Sequence, residues 1–178
     1  MIFYKEIDYN GTLRQNIDSL VGSQISLKDQ FRNGSSGSAL FRLRETKLNN
    51  KLSDDTYLNL RCNFEKRTNG LILRINQNQK LMNIAIDFDS IIKIMLFKKE
   101  VVSPRFFSPM RLLLKLGMSI RYARYFSGHR SYYIVEPLDL IIKTSEGIMR
   151  LDSNGYNFYN TFNYFSKAGL KEKIEVIE

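Results

Sequence analysis

The run from Leu58 to Phe97 constrains this chain most, because it alternates apolar and polar residues with the two-residue period of a half-buried strand. Leu58, Leu60, Cys62 and Phe64 interleave with Asn59, Arg61, Asn63 and Glu65. A turn through Thr68-Asn69-Gly70 follows, where Asn-Gly readily takes positive φ. Leu71, Leu73 and Ile75 then share a second apolar side, and Asn76-Gln77-Asn78-Gln79 makes the next turn. Met82, Ile84, Ile86 and Phe88 form a third strand, and Ile92, Ile94 and Leu96 a last one, interrupted on its other face by Lys93. Turns this short join antiparallel neighbours, since parallel pairing needs a crossover of a dozen residues. The expectation is one meander over residues 56–97.

The rest of the chain is read around that block. A length of 178 residues fits one domain whose core needs neither disulfide nor metal to hold it. Cys62, the only cysteine, lies on an apolar strand side and reads as a small buried hydrophobe, which excludes intrachain disulfides. The opening Met1–Asp8 carries acids where a secretory leader needs an apolar centre, and no apolar run reaches 18 residues, so the expected location is cytoplasmic. Residues 1–38 read as an N-terminal extension with a short helix from Thr12 to Val21 and a Gly/Ser-rich loop at 33–38, packed on a main domain spanning 39–178.

Ala39, Phe41 and Leu43 suggest a first strand. After Phe97, Ser103-Pro104 and Ser108-Pro109 are serine-cap, proline-first-turn signals. They open a short helix, Met110 to Leu116, within a helical insertion at 101–118. Ile120 to Phe126 reads as a strand, or as a continuation of that helix. Leu138, Leu140 and Ile142 turn through Ser145-Glu146-Gly147 into Ile148–Leu151. From Asn157 the period becomes helical: Phe158, Phe162 and Phe165 fall at i, i+4 and i+7, an aromatic stripe suited to lie across a sheet, with Gly169 placed as its C-cap.

This order resembles the pleckstrin-homology-like superfamily, especially its bacterial and GRAM-like branches. Three passages carry the likeness: Gly70-Leu71-Ile72-Leu73, Ile84 through Ile94 with its polar corner, and the hairpin from Leu138 to Gly147. The match covers roughly residues 56–170, apart from 101–118. It implies a mainly β (α+β) domain, an antiparallel barrel or sandwich capped by a C-terminal helix. Phosphoinositide-binding members use a basic residue near the end of the first strand and a basic-x-Arg pair on the second. Here Lys51 sits in the preceding loop and the pair reads Asn59-Leu60-Arg61, with only Arg61 basic. That departure weakens the case for an inositol-phosphate pocket, and fold alone does not decide a ligand.

No nucleotide loop, His-Glu-x-x-His or nucleophile elbow is present, His129 sits in a turn, and Asp87 with Asp89 reads as a solvated corner. The expectation is a non-enzymatic module without metal or cofactor. Its asymmetry is in charge. Between Val101 and Val135 lie Arg105, Arg111, Lys115, Arg121, Arg124 and Arg130 with no acid, so six of the net nine positive charges fall in this stretch. On a helical wheel Arg111 and Lys115 group together, while Leu112, Leu113 and Leu116 point elsewhere. Guanidinium groups that reach phosphates beside apolar side chains that insert suit an anionic membrane surface, reached peripherally on its inner face, or an acidic protein partner. Single-stranded nucleic acid uses the same ingredients, with Tyr122 and Tyr125 stacking on bases. A structural subunit that buries the helix in an oligomer is the third reading.

Overall fold

The computed structural model describes residues 2–7, 14–33, 36–48, 59–77, 80–98, 101–102, 109–126, 134–135 and 137–178. In chain order the elements are β1 (Ile2–Ile7), α1 (Arg14–Val21), α2 (Leu27–Asn33), β2 (Phe41–Leu48), β3 (Arg61–Lys66), β4 (Gly70–Gln77), β5 (Lys80–Asp87) and β6 (Ile91–Phe97). Then come β7 (Val101–Val102), α3 (Pro109–Lys115), α4 (Ile120–Ala123), β8 (Ile134–Val135), β9 (Leu138–Thr144), β10 (Gly147–Ser153), α5 (Phe158–Phe165) and β11 (Ile174–Ile177). Nine strands make one sheet in the order β1-β5-β4-β3-β2-β10-β9-β6-β11, and β7 pairs with β8 apart from it.

The alternation that dominates the sequence does set the faces of β3 to β5. Cys62, Phe64, Leu71, Leu73, Ile75, Ile84 and Ile86 are all buried in the main core. The hairpins β3-β4 and β4-β5 are antiparallel as expected. Leu58 lies outside the described residues, as does the side chain of Met82.

The meander breaks after β5. Only residues 88–90 separate β5 from β6, yet the two strands are second and eighth in the sheet. In a flat sheet six spacings would set them about 29 Å apart. The link from Asp87 to Ile91 reaches about 14 Å at most. The sheet must therefore bend back on itself, so that β4 and β5 face β6 and β9 across a shared core. Ile91, Ile94, Leu96, Leu140 and Ile142 join that core from the far half. Ile92 is exposed rather than inward, because a register shift between Ile91 and Lys93 re-phases β6.

Bending does not become closure. β1 and β11 are free edges, so the expected barrel is corrected to an open sheet. The expected antiparallel pairing is corrected too, because β11 runs parallel to β6 and makes the sheet mixed. Neither edge strand was visible in the alternation: β1 pairs with β5 and β11 with β6, the latter flanked by exposed Lys93–Glu175 and Lys98–Glu178 ion pairs. The strand reading of Ile120 to Phe126 is likewise overturned, since α4 and a 3-10 turn at Arg124–Phe126 occupy that stretch.

α1 covers the outer face of β4 and β5. Val21 packs with Ile72 and Ala85 in a second small core, with Ile17 and Leu20 at its margin. Gly70 is required there: a Cβ would stand 2.5 Å from the Ile86 carbonyl oxygen and 2.7 Å from Val21. An ionic chain rims this patch. Arg67 pairs with Asp18 on α1 at 3.2 Å and with buried Glu65 at 2.8 Å, and Arg74 takes the other Glu65 oxygen.

α5 seals the core from the C-terminal side. Phe165 stacks edge-on against Phe64 at 5.4 Å, and Phe64 against Phe41 at 5.7 Å. Thr161, Tyr164, Phe165 and Ala168 are buried, whereas Phe158 and Phe162 flank the core half-exposed. All three rings of the stripe thus meet the core, and the buried face widens to include Thr161 and Tyr164. The Tyr164 hydroxyl compensates its burial by donating to the Ser36 carbonyl at 3.1 Å. Gly169, at φ +86°, turns the chain out of the helical cluster and toward β11.

Candidate membrane-contact surface

The helical insertion is built largely against itself. Pro109 begins α3 at the position where a missing N–H costs nothing, and Gly117 ends it at φ +84°. Met110 and Ala123 are buried, which ties α3 to α4 and to the 3-10 turn behind it. With Met110 inside and Leu113 and Leu114 half-buried, the helical period leaves Arg111, Leu112, Lys115 and Leu116 outward. Leu112 is 49% exposed and Leu116 74%.

That arrangement differs from the wheel. Cations and leucines were expected on separate faces, but two cation–leucine pairs, Arg111-Leu112 and Lys115-Leu116, repeat one turn apart on the same exposed face. Leu113 alone of the three turns partly inward. Met118, Tyr122, Tyr125 and Phe126 are also exposed on the elements that follow. Exposed apolar side chains mark an interaction surface where they form a contiguous patch and are ordinary where they are scattered singly.

Of the six cations, the structure describes the side chains of Arg111, Lys115 and Arg124. Arg105 and Arg130 lie outside the described residues, as does the Arg121 side chain. Arg124 is held: its guanidinium sits 5.0 Å from the Tyr125 ring and 4.9 Å from the Tyr156 ring, and donates to the Tyr125 hydroxyl at 3.2 Å. This stack joins the insertion to the turn before α5. It also occupies one face of Tyr125, whose ring is otherwise exposed. His129 lies outside the described residues.

Sequence reasoning missed a second polar region along α5. Asn154, Asn157, Asn160 and Asn163 recur every three residues, a spacing that reads as ordinary surface until the fold sets it beside the approach to β2. Arg61 lines that region rather than the insertion. Among the described residues no cluster of histidine, cysteine and carboxylate is suited to a metal ion, and no helix is long and apolar enough to cross a membrane. Comparison with family models, with curated proteins and with solved structures finds no match to this chain.

Proposed function

We propose that this chain is a non-enzymatic binding module that attaches peripherally to an anionic membrane surface, on its cytoplasmic face, through α3 and α4. The observation that carries this reading is the outward repeat of Arg111-Leu112 and Lys115-Leu116. Leucines at this height enter the acyl boundary while the adjacent cations meet lipid phosphates. Tyr122 and Phe126 extend the same contact at headgroup depth. Kinship with the pleckstrin-homology-like superfamily belongs to the same proposal, supported by the β2-to-β5 succession, the last hairpin and the terminal helix. An acidic protein is the second reading, favoured by the same cations without need of the leucines.

Sedimentation with vesicles of graded phosphatidylserine content, at low and high salt, is the test. Arg111→Gln with Lys115→Gln should remove about 2 kcal/mol, a loss near thirtyfold, because each cation near an anionic bilayer contributes about 1 kcal/mol. Leu112→Ser with Leu116→Ser should abolish the residual binding at high salt, since insertion is not screened. Binding unaffected by the leucines would move the reading to an acidic protein. Preference for a single-stranded oligonucleotide with a steep salt slope would move it to nucleic acid. Self-association lost with the same leucines would make the helix a subunit contact.

A further inference from the structure

Where β10 ends, the strand it accompanied continues alone. Asn154 accepts from the Tyr156 backbone N–H, turning the chain into α5. Residues 36–40, which lead into β2, pair through the backbone on one side only: the Ser38 N–H donates to the Phe64 carbonyl and the Lys66 N–H to the Ser36 carbonyl. On the other side the Tyr164 and Ser153 hydroxyls donate to the Ser36 and Leu40 carbonyls. There a gap opens between this segment and α5. It comprises two adjoining chambers of about 460 and 480 Å³ that share Leu40 and Asn157 in their walls.

The walls differ in chemistry along the groove. Asn157, Asn160 and Asn163 line the α5 side of the gap, with the Asn157 side-chain amide donating to the Ser153 hydroxyl at 2.9 Å; an asparagine amide carries both a donor and an acceptor. Ala39 and Leu40 lie opposite, and neither backbone N–H makes a hydrogen bond with any described residue. Leu40 is 54% exposed, an apolar side chain at the junction of the chambers. Cations stand at both ends. Lys66 and Lys167 line one chamber, with the Lys66 ammonium donating to the Lys167 carbonyl at 2.6 Å. Arg42 and Arg61 line the other, directly opposite each other on β2 and β3.

Two like charges directly opposite each other across a strand pair are destabilising, and an anion laid over them relieves the repulsion. No ion pair joins Arg42 or Arg61 to a described residue. The one carboxylate in the lining, Asp152, is already taken by the Arg44 guanidinium, which donates twice to it at 2.8 and 2.7 Å. From Gly37 to Arg42 the extended chain spans about 16 Å, the length of about five residues of a strand.

We propose that this groove takes an extended peptide segment of a partner protein, acidic at both ends and apolar at its centre, laid between residues 37–42 and the asparagine face of α5. One of its carbonyls accepts from the Leu40 N–H group at the strand edge, and the asparagine amides hold its outer side. Its end carboxylates meet Lys66 and Lys167 at one end and Arg42 and Arg61 at the other. The site is separate from the exposed leucines of α3, so it stands or falls independently of membrane attachment.

Fluorescence anisotropy of the full chain with a labelled Glu-Glu-Ser-Leu-Ser-Glu-Glu peptide tests it. Arg61→Glu and Lys167→Glu should each weaken binding about tenfold or more, while Arg61→Lys keeps most of it. Leu112→Ser with Leu116→Ser should leave affinity within about twofold. Backbone resonances of Ala39 and Leu40 and the side-chain amides of Asn157, Asn160 and Asn163 should shift on titration, a readout that needs no variant to fold. Shifts confined to α3 and α4, absence of binding at low salt, or tighter binding of a fifteen-nucleotide single strand or of inositol hexakisphosphate would each overturn the proposal.

Discussion

Cys62 shows how one buried side chain couples the sheet to pH. It is 1% exposed, and burial pushes its thiol up to about 12, with the charge of Asp152 acting in the same direction. The unfolded thiol ionises near 9.0. Because the folded value is the raised one, the contribution is complete below about pH 9. It is lost as pH climbs towards 12, at about 1.4 kcal/mol per unit. The Tyr164 phenol, raised by burial and by Glu65, pulls the same way at alkaline pH. Denaturant melts from pH 8 to 11 should show a shallower alkaline fall for Cys62→Ala than for the parent chain. In native protein at pH 8 the thiol should resist disulfide reagents until unfolding. Its burial was legible from strand alternation alone. The pairing of Arg42 with Arg61 was not, because register between β2 and β3 joins positions that no local pattern connects.

At the scale of elements, α5 shows a readable feature that the fold extends. Its helical period, its terminal glycine and the stripe Phe158-Phe162-Phe165 are in the sequence and all three rings meet the core, but the deepest-buried face also takes in Thr161 and Tyr164. Thr161 and Tyr164 go inside because one is small enough for close approach and the other finds the Ser36 carbonyl. Phe165→Ala should therefore cost about 3–5 kcal/mol in denaturant melts, since it removes a fully buried ring and leaves a cavity. Phe162→Ala should cost less, about 1–2 kcal/mol, because that ring is only partly buried at the margin of the core. Equal losses would mean that Phe162 is packed as deeply as Phe165. The insertion repeats the lesson. Helix α3 was legible from Pro109 and Gly117, yet its outward mixture of cations and leucines depends on Met110 being the residue that docks.

For the whole molecule, connectivity sets the folding problem. β10 lies beside β2, with Asp152 opposite Arg42 over a hundred residues earlier in the chain, and β1 must wait for β5. Loop closure precedes the contacts that compensate it, so folding should be slow, on the order of milliseconds to seconds in stopped-flow refolding. Microsecond refolding would contradict this sheet order. The sequence by itself determined which residues alternate, where most hairpins turn, that a helix follows the last of them and that positive charge concentrates between Val101 and Val135. Those are local properties, written in periods of two or 3.6 residues and in the geometry of glycine and proline. Only the tertiary structure decided that the meander breaks at β6, that the sheet stays open with a parallel edge, and that Arg42, Arg61, Lys66 and Lys167 line one groove. Each of these depends on backbone pairing between distant segments, and backbone N–H and carbonyl groups are the same in every residue but proline, so their choice of partner leaves little trace in side-chain order.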